Sequence, residues 1–183
     1  MTTITEEHRT AAVEEAIHGR RTHKTYLSEP VPRPVLDELF ELARWAPNHH
    51  LSNPWRFRVL GPRSLSAIKA LADEEKPGSS RKLDRAPTMI VLSAVQTGDE
   101  SQDQEDMLAS AMAGYIVLLA AHARGLAGYW RTVPLLNGAP ARKVLGLGEE
   151  ETVIGLLHLG HPLHHDPATP DRAPVEGFVS HLG

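Results

Sequence analysis

Helical and strand-like segments alternate along this chain, which predicts an α+β or α/β sandwich around a small sheet. Three observations carry the prediction. Apolar residues recur at helical spacing in stretches separated by short runs rich in β-formers. The stretch from Met107 to Arg124 is almost uniformly apolar or small, so it predicts a helix buried nearly all round, at the centre of the core or of a subunit interface. At 183 residues the chain needs only one domain and can bury about two-thirds of its unfolded surface.

The elements follow in order. Thr5, followed by Glu6 and Glu7, starts a helix whose Val13, Ala16 and Ile17 form an apolar stripe, and Gly19 ends it. Pro32-Arg33-Pro34 opens a second helix, with Val35, Leu36, Leu39, Phe40, Leu42 and Ala43 facing a core and Ala46-Pro47 closing it. Trp55 to Leu60 reads as a half-buried strand and Ser64 to Ala72 as a short helix. Lys76 to Arg85, rich in Gly, Ser and charge, reads as a mobile surface segment. Thr88 to Leu92 and Thr152 to Leu159 read as buried strands, separated by an acidic loop and the long helix. The tail from Pro162 to Gly183 has few helix or strand signals. Its Val175, Phe178, Val179 and Leu182 need a surface, preferably on a partner subunit.

Composition removes several function classes. A net charge of -4 argues against a general nucleic-acid surface. No run approaches the roughly 18 apolar residues of a membrane span, and the polar Thr2 to Arg9 has no signal-peptide core, which points to a cytoplasmic protein. Cysteine is absent, so disulfides, thiolate metal sites and cysteine nucleophiles drop out, and redox chemistry would need a bound cofactor. His158, His161, His164 and His165 suggest a metal only in number; they lack HExxH spacing, flank Gly160 and Pro162, and read instead as a polar, partly exposed connection after a strand, so no metal is expected. The dinucleotide, P-loop and serine-hydrolase motifs are missing; Gly146-Leu147-Gly148 lacks a third glycine and precedes three glutamates.

Three segments carry positive chemistry. Gly19-Arg20-Arg21-Thr22-His23-Lys24 sets two guanidinium groups beside a hydroxyl, a means of gripping phosphate, although both arginines could also cap the first helix. Ala46-Pro47-Asn48-His49 leads to Asn53-Pro54-Trp55-Arg56-Phe57, and Gly128-Tyr129-Trp130-Arg131-Thr132 follows the long helix. Trp55 and Phe57 read as core, Trp130 could be core as well, and His49 taken alone reads as a surface histidine.

In this order, and followed by the strand motif from Gly155 to Pro162, the segments resemble the FMN-dependent nitroreductase family, in particular its short members, over nearly the whole chain. The resemblance implies an α/β/α sandwich with a small mixed or antiparallel sheet, forming an intertwined homodimer with an FMN in each of two interfacial clefts. It implies Arg20 and Thr22 as phosphate and ribityl contacts with Arg21 beside them, and Trp45 and His49 near the flavin. It further implies Asn53 and Pro54 as contacts contributed by the other subunit, and Trp130, Arg131 and Thr132 as a flavin-contacting turn. Lys24 corresponds to a cation at the pyrimidine edge, and Arg172 to a C-terminal basic residue that closes over the phosphate. The whole chain, 1–183, is then one FMN-binding domain, with 162–183 an extension on the partner.

The implied activity is hydride transfer from NADH or NADPH to FMN and then to a nitroaromatic, quinone or similar small acceptor; no catalytic acid or base emerges from the residues. Other readings are a dehalogenase or flavin-fragmenting enzyme of the same fold, a flavin-storage module, and a cofactor-free interaction domain. Arg124 could meet a nicotinamide nucleotide phosphate, but capping its own helix is the preferred reading.

Overall fold

The structure is a computed structural model describing residues 5–164 and 168–183; Thr2 and His165 lie outside the described residues, as do residues 165–167 of the predicted tail. Four strands, β1 (Trp55–Val59), β2 (Thr88–Val95), β3 (Ala127–Arg131) and β4 (Glu151–Gly160), form one antiparallel sheet in the order β1-β2-β4-β3. Side chains alternate between its faces. Ile90, Leu157 and Leu159 pack with helices α2 (Arg33–Ala43) and α4 (Glu100–His122). Met89, Val91 and Leu156 pack with α3 (Pro62–Glu75) and α5 (Ala139–Leu145) on the opposite face. The predicted α/β/α sandwich is therefore the fold observed.

One register change matters to the site. Leu92 pairs with Gly155 but Ser93 pairs with Val153, so Ile154 is an extra residue, a β-bulge. It puts Val153 and Leu156 into the same layer and turns Gly155 toward the other, where Trp130 lies.

Several expectations need correction. Helix α4 starts at Glu100, so the acidic stretch supplies its first turns; Asp99 accepts from Gln102 N, and Glu100 and Asp103 complement the positive helix end. Nor is α4 buried all round: Met107, Leu108, Met112 and Tyr115 are exposed, while the small Ala109, Ser110, Ala113 and Gly114 let the helix approach the sheet closely. Leu42 is exposed rather than core-facing, and the stripe on α1 (Glu6–Gly19) is uncovered, with Val13 at 58% exposure.

Lys76 to Arg85 is tied down rather than loose. It contains a 3-10 turn, Ser79–Leu83, whose Ser80 and Leu83 are buried; Ser79 Oγ donates to Ala72 O and Ser80 N to Asp73 Oδ1 at 3.0 Å. Ala127–Arg131, not predicted as a strand, is one of the two edge strands, with Trp130 and Arg131 of the implied turn inside it, and α5 was not anticipated. His158 lies within β4, fully buried, instead of in an exposed connection. Among the described residues no helix is long and apolar enough to cross a membrane.

Candidate functional site

Helix α1 ends at a close approach to α4. A Cβ on Gly19 would lie 2.7 Å from His122 Nε2 on α4, so glycine allows the two helices to meet there. Arg20 N still donates to Ala16 O, and Arg20 then leaves helical geometry at ψ 126°. Thr22 joins β3 through a parallel bridge to Gly128, and His23 N donates to Gly128 O at 3.2 Å. The chain thus runs along the sheet's free edge.

Arg21 folds back, donating to Arg20 O at 3.0 Å and to His18 O, and reaches Thr169 Oγ1 at 3.3 Å. The helix-capping reading therefore holds for Arg21, which also ties the C-terminal segment to the helix end. The Arg20 guanidinium donates to no protein acceptor among the described residues. With Arg21, Thr22, Ala168, Pro170 and Arg172 it lines a cavity of about 310 Å³. A neighbouring cavity of about 510 Å³ adds Ile17, His18, Tyr115 and Thr169. Burial and then the charges of Arg20 and Arg21 lower the His122 pKa, against Glu15, as expected of an electropositive corner.

At the far end of β3, Trp130 packs between glycines. Cβ atoms on Gly114 and Gly155 would stand 2.4 and 2.6 Å from its ring. Arg131 and Thr132 line a separate cavity of about 400 Å³ with Lys76 and Ser79, and Arg131 Nη1 is buried without a hydrogen-bond partner. His158, opposite Tyr129 in the β3–β4 register, has neither ring nitrogen satisfied. Burial, followed by Arg131 and Arg85, lowers its pKa to about 4, so it is neutral at pH 7. Tyr26 donates to His23 O at 2.8 Å, and burial and Tyr129 raise its pKa.

The remaining predicted residues lie outside these cavities. The 45–54 loop precedes β1, the edge opposite β3, about 14 Å away at the usual strand spacing. Trp45 is 78% exposed beside Val13, Ala16, Leu42, Ile116 and Leu119. His49 lines a shallow cavity with Asn48, Glu105, Leu108 and Met112. Asn53 is exposed at φ 46°, and Pro54 is buried. Asn48 Oδ1 accepts from Asn53 N at 2.9 Å.

The structure therefore brings Arg20, Arg21, Thr22 and Arg172 together, and places Trp130, Arg131 and Thr132 farther along the same edge. It does not bring Trp45, His49, Asn53 and Pro54 to them within one chain. Lys24 is exposed and lines none of these cavities. Arg124 caps α4, donating to Ala120 O and to Glu38. Two pocket residues escaped the sequence reading: Tyr115, which looked like core in an apolar helix, and Thr169, which lies in an unpatterned tail. Among the described residues no group of three or more His, Asp or Glu side chains is arranged to hold a metal.

Comparison with known proteins agrees with this architecture. The sequence model of the nitroreductase family matches residues 17–161. A Haemophilus influenzae relative, named by inference an NAD(P)H nitroreductase, is 31% identical over 176 residues, covering 89% of this chain and 95% of its own. A nitroreductase-like family protein from Bacillus cereus superimposes with a TM-score of 0.84 at 24% identity, over 100% of this chain and 98% of that one. The FMN-dependent nitroreductase NfnB of Mycobacterium smegmatis, solved with NADPH, gives 0.80 at 18% identity over 96% and 100%. At these identities the two structures attest the fold, and the family match spans most of the chain. The chain belongs to the nitroreductase family.

Proposed function

We propose that this protein is an FMN-dependent NAD(P)H oxidoreductase, a cytoplasmic homodimer whose two flavin clefts each draw on both subunits. The observation that carries the reading is the cavity framed by Arg20, Arg21, Thr22 and Arg172 on the sheet edge that continues to Trp130. Three guanidinium groups and a hydroxyl suit a phosphate monoester, and Arg20 has its donors free of protein acceptors. Arg131 Nη1, buried and unpartnered, fits a polar edge of the ring system.

When bound, FMN supplies two-electron transfer from NADH or NADPH to a nitroaromatic, quinone or similar acceptor. The chain's own part is placement. Arg20 and Arg172 hold the phosphate, Arg21 braces the helix end and tail, and Trp130, wedged between Gly114 and Gly155, fixes the turn through Thr132. Lys24, solvent-facing in one chain, is assigned to the pyrimidine side of the assembled cleft. Trp45, His49, Asn53 and Pro54 complete the cleft from the partner copy, because within one chain they line neither of the cavities that Arg20 lines. The exposed Val175, Phe178, Val179 and Leu182 are the surface by which the 162–183 extension packs on that copy.

An anaerobic absorption spectrum of FMN-loaded, desalted protein tests the reading. Bleaching of the oxidised flavin by one equivalent of NADPH or NADH supports a reductase and identifies its donor. A bound flavin that neither donor reduces supports the storage reading, and a colourless protein refutes both.

A further inference from the structure

The segment between α2 and β1 holds the three described non-glycine residues at positive φ: His50 at 51°, Leu51 at 54° and Asn53 at 46°. Side chains with a Cβ avoid this region, so three such residues within four positions require restraint. Most of the restraint is local. Asn48 accepts from Asn53 N, Asn53 Nδ2 donates to Leu51 O at 2.6 Å, and Arg56 Nη1 donates to Asn53 O at 2.9 Å.

At the β1 end Val95 N donates to Pro54 O at 2.9 Å, and one side-chain bond leaves the middle of the segment. Ser52 Oγ donates to Asp106 Oδ1 at 2.6 Å, across 54 residues. Asp106 is only 2% exposed on α4, and none of the described ion pairs includes it. Gln102 and Ser110, one turn away on either side, continue a polar row, and Gln102 Nε2 and Ser110 Oγ are buried without partners. Alanine or leucine on this face would avoid the cost of burying polar groups, and an exposed serine could bond water instead.

We propose that Asp106 is a positioning residue: through the Ser52 hydroxyl it holds the His49–Pro54 segment with His50, Leu51 and Asn53 at positive φ, preformed to receive the flavin. This rests on the reading above that the segment forms half of the cleft. A loop already ordered avoids the entropic cost of ordering on binding, so the anchor raises flavin affinity without touching the flavin.

The test titrates FMN into wild type, Ser52→Ala, Asp106→Ala, Asp106→Asn and the double alanine variant. It records flavin fluorescence, the visible circular dichroism of bound flavin, and amide exchange of residues 49–53 in flavin-free protein. Each alanine variant is expected to weaken FMN about tenfold, the double no further, with an altered dichroism band and faster loop exchange. Asp106→Asn, which keeps an acceptor for Ser52, should remain within about threefold of wild type. Because Ser52 is exposed, Ser52→Ala keeps the test sound even where Asp106→Ala misfolds. Unchanged affinity and dichroism in Ser52→Ala overturn the proposal while leaving the flavin reading intact. A wild type that takes up no FMN defeats the flavin reading, and with it the assignment of Asp106 to flavin positioning; faster loop exchange in the variants would then leave only a structural anchor.

Discussion

Arg20 and Arg21 are adjacent, yet their surroundings give them different work. Arg21 spends its donors on His18 O, Arg20 O and Thr169, whereas Arg20 and Arg172 face the cavity. Arg20→Ala and Arg172→Ala should each weaken FMN by tenfold or more, at about 1.5–3 kcal/mol per charge-assisted bond, while leaving riboflavin, which lacks the phosphate, almost unaffected. Arg21→Ala should instead cost about 1 kcal/mol of stability, read as a fall of about 2–4 °C in Tm. His158 makes a separate, pH-dependent prediction. The unfolded chain binds its proton near 6.5 and the native site only near 4, so its contribution is complete above pH 6.5 and is lost as pH falls through that interval. The loss is at most about 3 kcal/mol, and His158→Met should remove this part of the dependence in urea melts between pH 7 and 4.

The elements are fastened by a buried charge pair whose partners are far apart in sequence. Arg58 of β1 meets both carboxylate oxygens of Glu151 at 2.6 Å, Ser93 Oγ donates to the same carboxylate at 2.6 Å, and Gly148 N donates at 3.1 Å. Burial pushes the Glu151 pKa up, but the bonds from Arg58, Ser93 and Gly148 outweigh it and bring it to about 2. A lowered carboxylate stabilises the fold above its unfolded pKa, so acid should erode stability from about pH 4.5 down to about 2. Arg58→Met should strand the carboxylate, costing about 3–5 kcal/mol at pH 7 and flattening that acid limb in chemical melts. No periodicity revealed this clamp, because it depends on strand order. What was legible was local: the caps and proline of α1 and α2, the apolar runs of β2 and β4, and the Arg-Arg-Thr and Trp-Arg-Thr motifs. The start of α4 was obscured because its acidic first turns have a loop's composition, and β3 because an edge strand of five residues ending in Trp-Arg carries too short a pattern.

At the scale of the whole molecule, one chain has apolar surface left over and a candidate site whose residues fall in separate cavities. Val13, Leu42 and Trp45 are exposed together with parts of α4 and the tail. In the proposed homodimer such a patch is the interaction surface, and the same assembly is what would join the Trp45–Pro54 segment to the Arg20 edge. Assembly and cofactor binding should therefore fail together. Val13→Glu is expected to give a folded monomer by sedimentation that retains FMN at least a hundredfold less well than wild type. A monomer that bound FMN normally would place the whole site within one chain. The proposed two-sided cleft draws on family resemblance, since residues such as His49 and Asn53 carry no mark of which copy they would serve.

Ile154 gives β4 a change of parity that composition conceals. With the extra residue, Glu151 faces Arg58 and Gly155 makes room for Trp130; without it, one half of the strand would present its inner side chains to the wrong layer. Loss of this one unpaired residue should therefore be worse than a conservative replacement there. Deleting Ile154 would separate the salt-bridge end of the strand from the tryptophan end, so the reading frame of this strand, more than the identity of its bulged side chain, is what selection has to preserve.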